Sequence, residues 1–185
     1  MAGRDDTDDP RAILRPLRRV RQVREFTTEP PSDAALDAMA DVGRWTGSSR
    51  NEQPWRFLIL RDQALLRRIW GIGVPQTRAL ETATAAIAIV LPERGHEIGD
   101  AYDDGRAAER LLIAASFLRL GAAIQWVRSD VRPVVNELLG IPPDHYVRTI
   151  VALGHATEAA ARPKAAPGEA RLPRDESVFR DRWPG

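Results

Sequence analysis

The chain has 185 residues, enough for one domain with a real core and short for two. Lys and Arg number 27 against 26 Asp and Glu, a near balance that argues against a nucleic-acid partner, whose groove would need many phosphates neutralised. Cysteine is absent, which excludes disulfides, thiolate nucleophiles, iron-sulfur ligation and cysteine zinc sites, so redox chemistry needs a borrowed cofactor.

In chain order, residues 1–10 are polar and charged and predict a disordered lead, with 11–185 as a single domain. A short basic helix is expected from Ile13 to Val23. Ser32 is placed to cap a helix running to Trp45, with Leu36, Met39 and Ala40 at helical spacing and Gly47 at its stop. Trp55 to Leu60 predicts a strand, Leu65 to Trp70 a short helix, and Thr77 to Thr82 another helical piece. The unbroken apolar run Ala85 to Leu91 fits a buried strand. After a polar loop to about Asp100, the strongest helix signal covers Asp104 to Leu120, with Gly121 placed to cap it. Ala122 to Val127 predicts a strand, Ser129 the cap of a helix from Asp130 to Leu139, and Gly140 to Pro143 its stop. Tyr146 to Leu153 closes the core as a last strand ending at Gly154. Residues 156–185 then read as an extended arm with little apolar surface. No apolar stretch reaches the roughly 20 residues of a membrane span, and Met1 to Asp6 lacks a signal-peptide core. The expectation is a cytoplasmic protein with no membrane partner.

Two polar clusters bracket the first long helix. Arg18, Arg19, Arg21 and Arg24, with Gln22 among them, offer guanidinium forks that match phosphate oxygens. Ser48, Ser49, Asn51 and Gln53 can donate and accept at the edge of a sugar chain or heterocycle. Together they suggest a bound anion with a flat polar head. His96, His145 and His155 are scattered without ligand spacing, so no metal site is expected. Asp103 and Asp104 read as charge at a helix N-terminus. Trp45, Trp55 and Trp126 fall on elements expected to line the core or a cleft, and Trp183 lies in the tail.

The pair Arg21-Gln22-Val23-Arg24-Glu25-Phe26 and Ser48-Ser49-Arg50-Asn51-Glu52-Gln53-Pro54-Trp55-Arg56-Phe57 resembles the two opening motifs of the nitroreductase family, Arg-Arg-Ser-x-Arg-x-Phe and Pro-Ser-x-x-Asn-x-Gln-Pro-Trp-x-Phe. The resemblance runs from about Leu14 to Trp183. It implies an α+β fold with a central mixed sheet surrounded by helices, in a homodimer whose C-terminal arm reaches the partner subunit. It further implies FMN, with NADPH or NADH as donor and a nitroaromatic, quinone or similar small molecule as acceptor, in a ping-pong cycle. Cofactor contacts then fall on Arg21, Gln22 and Arg24, on Ser48, Ser49 and Asn51 of a site held mainly by the other subunit, and on Gly154 and Arg171. The segment from Gly121 to Arg128 matches the strand and loop whose backbone amides face the flavin's reactive ring nitrogen. No side chain is expected to act as a catalytic acid. The motifs depart from the family pattern at Val20, Gln22 and Glu169, and Arg50 stands at a position usually occupied by glycine. The flavin-fragmenting branch that resembles this family carries an acidic residue at the place of Gln22. The alternative reading is a flavin-binding protein of the same fold without turnover.

Overall fold

The apolar runs become the strands β1 (Arg56–Leu60), β2 (Ala85–Pro92), β3 (Gly121–Trp126) and β4 (His145–Gly154) of a computed structural model that describes residues 9–163, 165 and 171–184. Most of the expected disordered lead, residues 1–8, and Glu169 lie outside the described residues. The spatial order is β1-β2-β4-β3, and all three pairings are antiparallel, where a mixed sheet was expected. The reason is an insertion: β4 lies between β2 and β3, so these two strands run the same way without touching.

Helices cover both faces, which is why β2 is apolar without alternation. One face carries α3 (Asp33–Arg44) and α5 (Glu97–Phe117), whose Leu36, Met39 and Leu111 pack on Ile87, Ile89 and Val151. On the other, α4 (Gln63–Gly73) and α6 (Arg132–Leu139) bring Leu66, Ile69 and Val135 to Ala86, Ala88 and Ile150. Burying each large aliphatic side chain contributes roughly 1.5–3 kcal/mol. The chain enters through α1 (Pro10–Ile13) and α2 (Arg15–Arg19), and leaves through α7 (Glu158–Ala161) and α8 (Arg174–Ser177).

Several boundaries move for physical reasons. The basic helix expected to Val23 stops at Arg19, because Val23 N–H instead donates to Ala122 O (2.8 Å) and Phe26 bridges to Ala156. Ser32 caps α3 as expected, its Oγ accepting from Ala35 N at 3.2 Å. The helix expected from Leu65 begins earlier because Asp62 Oδ1 accepts from Ala64 N (2.8 Å) and Leu65 N (3.2 Å). Only a 3-10 turn, Arg78–Glu81, forms where a further helical piece was expected. Gly121 does not cap α5 but opens β3, and the chain turns at Arg119 (φ 58°) instead. Ser129 is not the cap of α6, which starts at Arg132 with Pro133 in its first turn; Gly140 ends it in the left-handed conformation (φ 64°).

Candidate cofactor site

The extended segment after α2 carries Arg21, Gln22 and Arg24, all exposed. Arg21 reaches the end of α7, donating from Nη1 to Ala160 O (2.9 Å) and from Nη2 to Ala161 O. Arg24 Nη2 donates to Gln22 Oε1 (2.9 Å). Val23 and Phe26, the inward residues between them, fix the segment against the strand ends. A Cβ on Gly154 would lie 2.9 Å from Phe26 Cγ, and one on Gly121 would lie 2.8 Å from Val23 Cγ1. Gly154 therefore joins the basic cluster through a packing contact with Phe26. Arg171 is exposed just before α8.

The second cluster sits on a strained loop. Arg50, Asn51 and Gln53 have φ of 50°, 56° and 50°, a left-handed conformation that costs a non-glycine residue roughly 1 kcal/mol or more. Hydrogen bonds hold it: Ser48 Oγ accepts from Gln53 N (2.9 Å), Ser48 O from Asn51 N (3.1 Å), and Asn51 Oδ1 from Gln53 Nε2 (3.3 Å). Ser49 N donates to Asp103 Oδ2 of α5 (3.3 Å), while Arg94 bridges Glu52 Oε2 (2.7 Å) and Asp100 Oδ1 (2.7 Å).

Within one chain the two clusters do not meet. The Ser48 loop lies against the N-terminal half of α5, whereas Val23 packs on Gly121, just beyond its C-terminal end. Between Asp103 and Phe117 the helix alone rises about 21 Å at ~1.5 Å per residue.

A model of the nitroreductase family matches residues 17–77, which hold both clusters. The chain is 29% identical over 140 residues, 73% of its length and 80% of the relative's, to a candidate NADH dehydrogenase/NAD(P)H nitroreductase of Archaeoglobus fulgidus. A candidate nitroreductase of Desulfovibrio desulfuricans, solved in complex with FMN, superposes with a TM-score of 0.77 at 25% identity, covering 96% of this chain and all of the other. The chain is similar to nitroreductases in its two motif-bearing segments and in its fold. The fold is also that of an FMN-dependent nitroreductase of Clostridium difficile R20291, at a TM-score of 0.75 and 21% identity, over 90% of this chain and 98% of the other.

The chain holds further groups that the motifs did not mark. Asp103 and Asp104 were read as charge at a helix start and Asp100 as the end of a loop, yet all three lie within α5 and are buried. Asp104 Oδ2 accepts from Thr149 Oγ1 (2.7 Å) and lies 3.8 Å from Arg148 Nε, while its Oδ1 has no partner among the described residues. Burial pushes its carboxyl up to about 6, against the pull of Thr149, Arg148 and Arg132. The outer face of α5 carries large apolar side chains toward its two ends, Ile98 and Tyr102 (78% and 73% exposed) and Phe117 (66%), with exposed Gly105, Arg106, Glu109 and Arg110 between them. A groove of about 470 Å³ runs beside it between α3 and α5, lined by Met39, Val42, Ile113, Phe117 and Leu118. Trp45, expected in the core or cleft, is 75% exposed on this same side; Trp55 is buried and Trp126 half-exposed. Among the described residues no side-chain cluster could hold a metal ion, and no helix is long and apolar enough to cross a membrane.

Proposed function

We propose that this oxidoreductase binds FMN in a cleft completed by two copies of the chain. Arg21, Gln22, Arg24, Gly154 and Arg171 of one copy would hold it together with Ser48, Ser49 and Asn51 of the partner subunit. When bound, FMN supplies the redox chemistry, taking a hydride from NADPH or NADH and passing electrons to a nitroaromatic, quinone or similar acceptor in a ping-pong cycle.

The observation that carries this reading is the position of the two clusters at opposite ends of α5, a helix that exposes Ile98 and Tyr102 near one end and Phe117 at the other. Two such helices paired antiparallel about a two-fold axis bring the Ser48 loop of each chain to the basic segment of the other. The donor set fits the cofactor. Arg21 commits two of its N–H groups to α7, and a guanidinium carries five, so donors remain for a phosphate. Ser48 and Asn51 supply hydroxyl and amide groups of the kind that meet a ribityl chain or a pyrimidine edge. The chain's part is binding and orientation, and no side chain is assigned as a catalytic acid. A cytoplasmic location accords with that chemistry.

A second reading, a flavin-binding protein without turnover, draws on Val20, which packs half-buried against the core where the motif has a cation. The test is an absorbance spectrum of purified protein, before and after anaerobic NADPH and then NADH. A flavin band that bleaches is expected. A band that persists supports the second reading, and no band after incubation with excess FMN overturns both.

A further inference from the structure

The segment from Trp45 to Glu52 runs along one face of α5 in the opposite direction, and a polar group meets it at regular steps. Arg110 Nη1 donates to Trp45 O (2.7 Å). Arg106 lies so near Gly47 that a Cβ there would be 2.6 Å from Nη2. Asp103 Oδ2 accepts from Ser49 N (3.3 Å), and Asp100, through Arg94, ends on Glu52. Positions 100, 103, 106 and 110 follow the three- and four-residue spacing of one helix face, so the ladder is written into α5.

Asp100 and Asp103 are 1% and 4% exposed. Carboxylates so buried are tolerated where their oxygens find donors, and here those donors are the loop's backbone, Arg106 Nη1 at 3.4 Å from Asp103 Oδ1, and the arginine that grips the loop's far end. The same loop holds three non-glycine residues in the left-handed conformation, which persists only where the surroundings over-determine it. We propose that Asp103, together with Asp100 acting through Arg94, is a positioning device that sets the Ser48–Gln53 loop in its cofactor-binding shape before the cofactor arrives, an inference that rests on the FMN reading above. Released from the helix, the loop relaxes toward right-handed conformations and carries Ser48 and Asn51 with it. Binding must then reorder it at the expense of affinity.

The test compares Asp103→Ala, which removes the acceptor, with Asp103→Asn, which keeps a side-chain oxygen for Ser49 N–H. Hydrogen exchange of the 45–55 segment in flavin-stripped protein reads the clamp, and titration with FMN reads its consequence. Asp103→Ala should speed exchange in that segment and weaken FMN about tenfold or more, the effect of losing a charge-assisted bond. Asp103→Asn should restore both to within about threefold. If Asp103→Ala fails to fold, Glu52→Ala serves, since it cuts the Arg94 link from an exposed loop position and should move both readouts the same way. Unchanged exchange in the folded variants overturns the clamp. Faster exchange with unchanged FMN affinity overturns its role for the cofactor. Wild-type protein that does not bind FMN overturns the cofactor reading itself, while the exchange arm still reports on the clamp.

Discussion

Asp104 owes its position to an irregularity in β4. The pairing with β2 steps from Ile89↔Thr149 to Val90↔Val147, leaving Arg148 as an extra residue. A bulge of this kind re-aims side chains, and here both Arg148 and Thr149 reach Asp104 across the α5 face. The charges around it are Asp100 and Asp103 on its own helix, Arg148 on β4, and Arg132 on α6, whose guanidinium lies 4.6 Å from the Tyr146 ring centre. Burial outweighs the cations, so the folded chain holds the Asp104 proton up to about pH 6, against 3.8 for an ordinary aspartate. Between those values the folded state binds more protons than the unfolded one, and this group makes stability fall as pH rises. The full penalty above pH 7 is on the order of 3 kcal/mol. Asp104→Asn keeps an acceptor for Thr149 and has no charge to bury. Its stability advantage over wild type should widen by about 1 kcal/mol from pH 5 to pH 7.5 and then stay level. Urea unfolding at several pH values checks this, and an advantage that does not grow with pH would refute the assignment.

At the level of elements, the contact of Phe26 with the strand ends makes the first cluster possible. Phe26 is buried over Gly121 and Gly154, with carbons within 2.9 Å of a Cβ built on Gly154 and 3.1 Å of one on Gly121. Gly154→Ala should destabilise the chain by about 1–3 kcal/mol through overpacking, and should loosen residues 20–26. Thermal unfolding together with proteolysis of that segment measures it, and a neutral Gly154→Ala would show that Phe26 has room to move. The same contact explains why the basic helix was misread. Nothing local ends a helical pattern at Arg19; distant glycines and a β3 carbonyl do. By contrast β2 was legible because a strand buried on both faces shows an unbroken apolar run, and α3 because Ser32 and its apolar period agree. The start of α5 was hidden, since its first turns bury Asp100 and Asp103 where a reader of hydrophobic periods looks for leucine. Both polar clusters were visible as residue types. Their separation along α5 was not, because it depends on three-dimensional packing. The three-residue step from Asp100 to Asp103 was a signal for the clamp, obscured by reading the pair Asp103–Asp104 as helix-end charge.

For the whole molecule, the question is what covers α5. Ile98, Tyr102 and Phe117 project from its outer side, with Val42 and Trp45 exposed on neighbouring α3 and its end. Large apolar side chains exposed at both ends of one helix, with Gly105, Arg106, Glu109 and Arg110 exposed between them, suit a surface that meets another. The surface is also self-complementary: in an antiparallel pair the Ile98–Tyr102 end of one helix faces the Phe117 end of the other, as an isologous interface requires. On the FMN reading proposed above, covering this surface and completing the cofactor cleft would be one event, because each cleft would take one cluster from each chain. Tyr102→Asp with Phe117→Asp places like charges where two such helices would meet, at surface positions that leave the inner core packing untouched. The double variant should stay folded, run as a monomer by light scattering, and lose its bound flavin in the same concentration range in which it dissociates. A folded monomer that keeps wild-type flavin affinity would show that one chain suffices for the site, and would remove Ser48, Ser49 and Asn51 of the partner subunit from it.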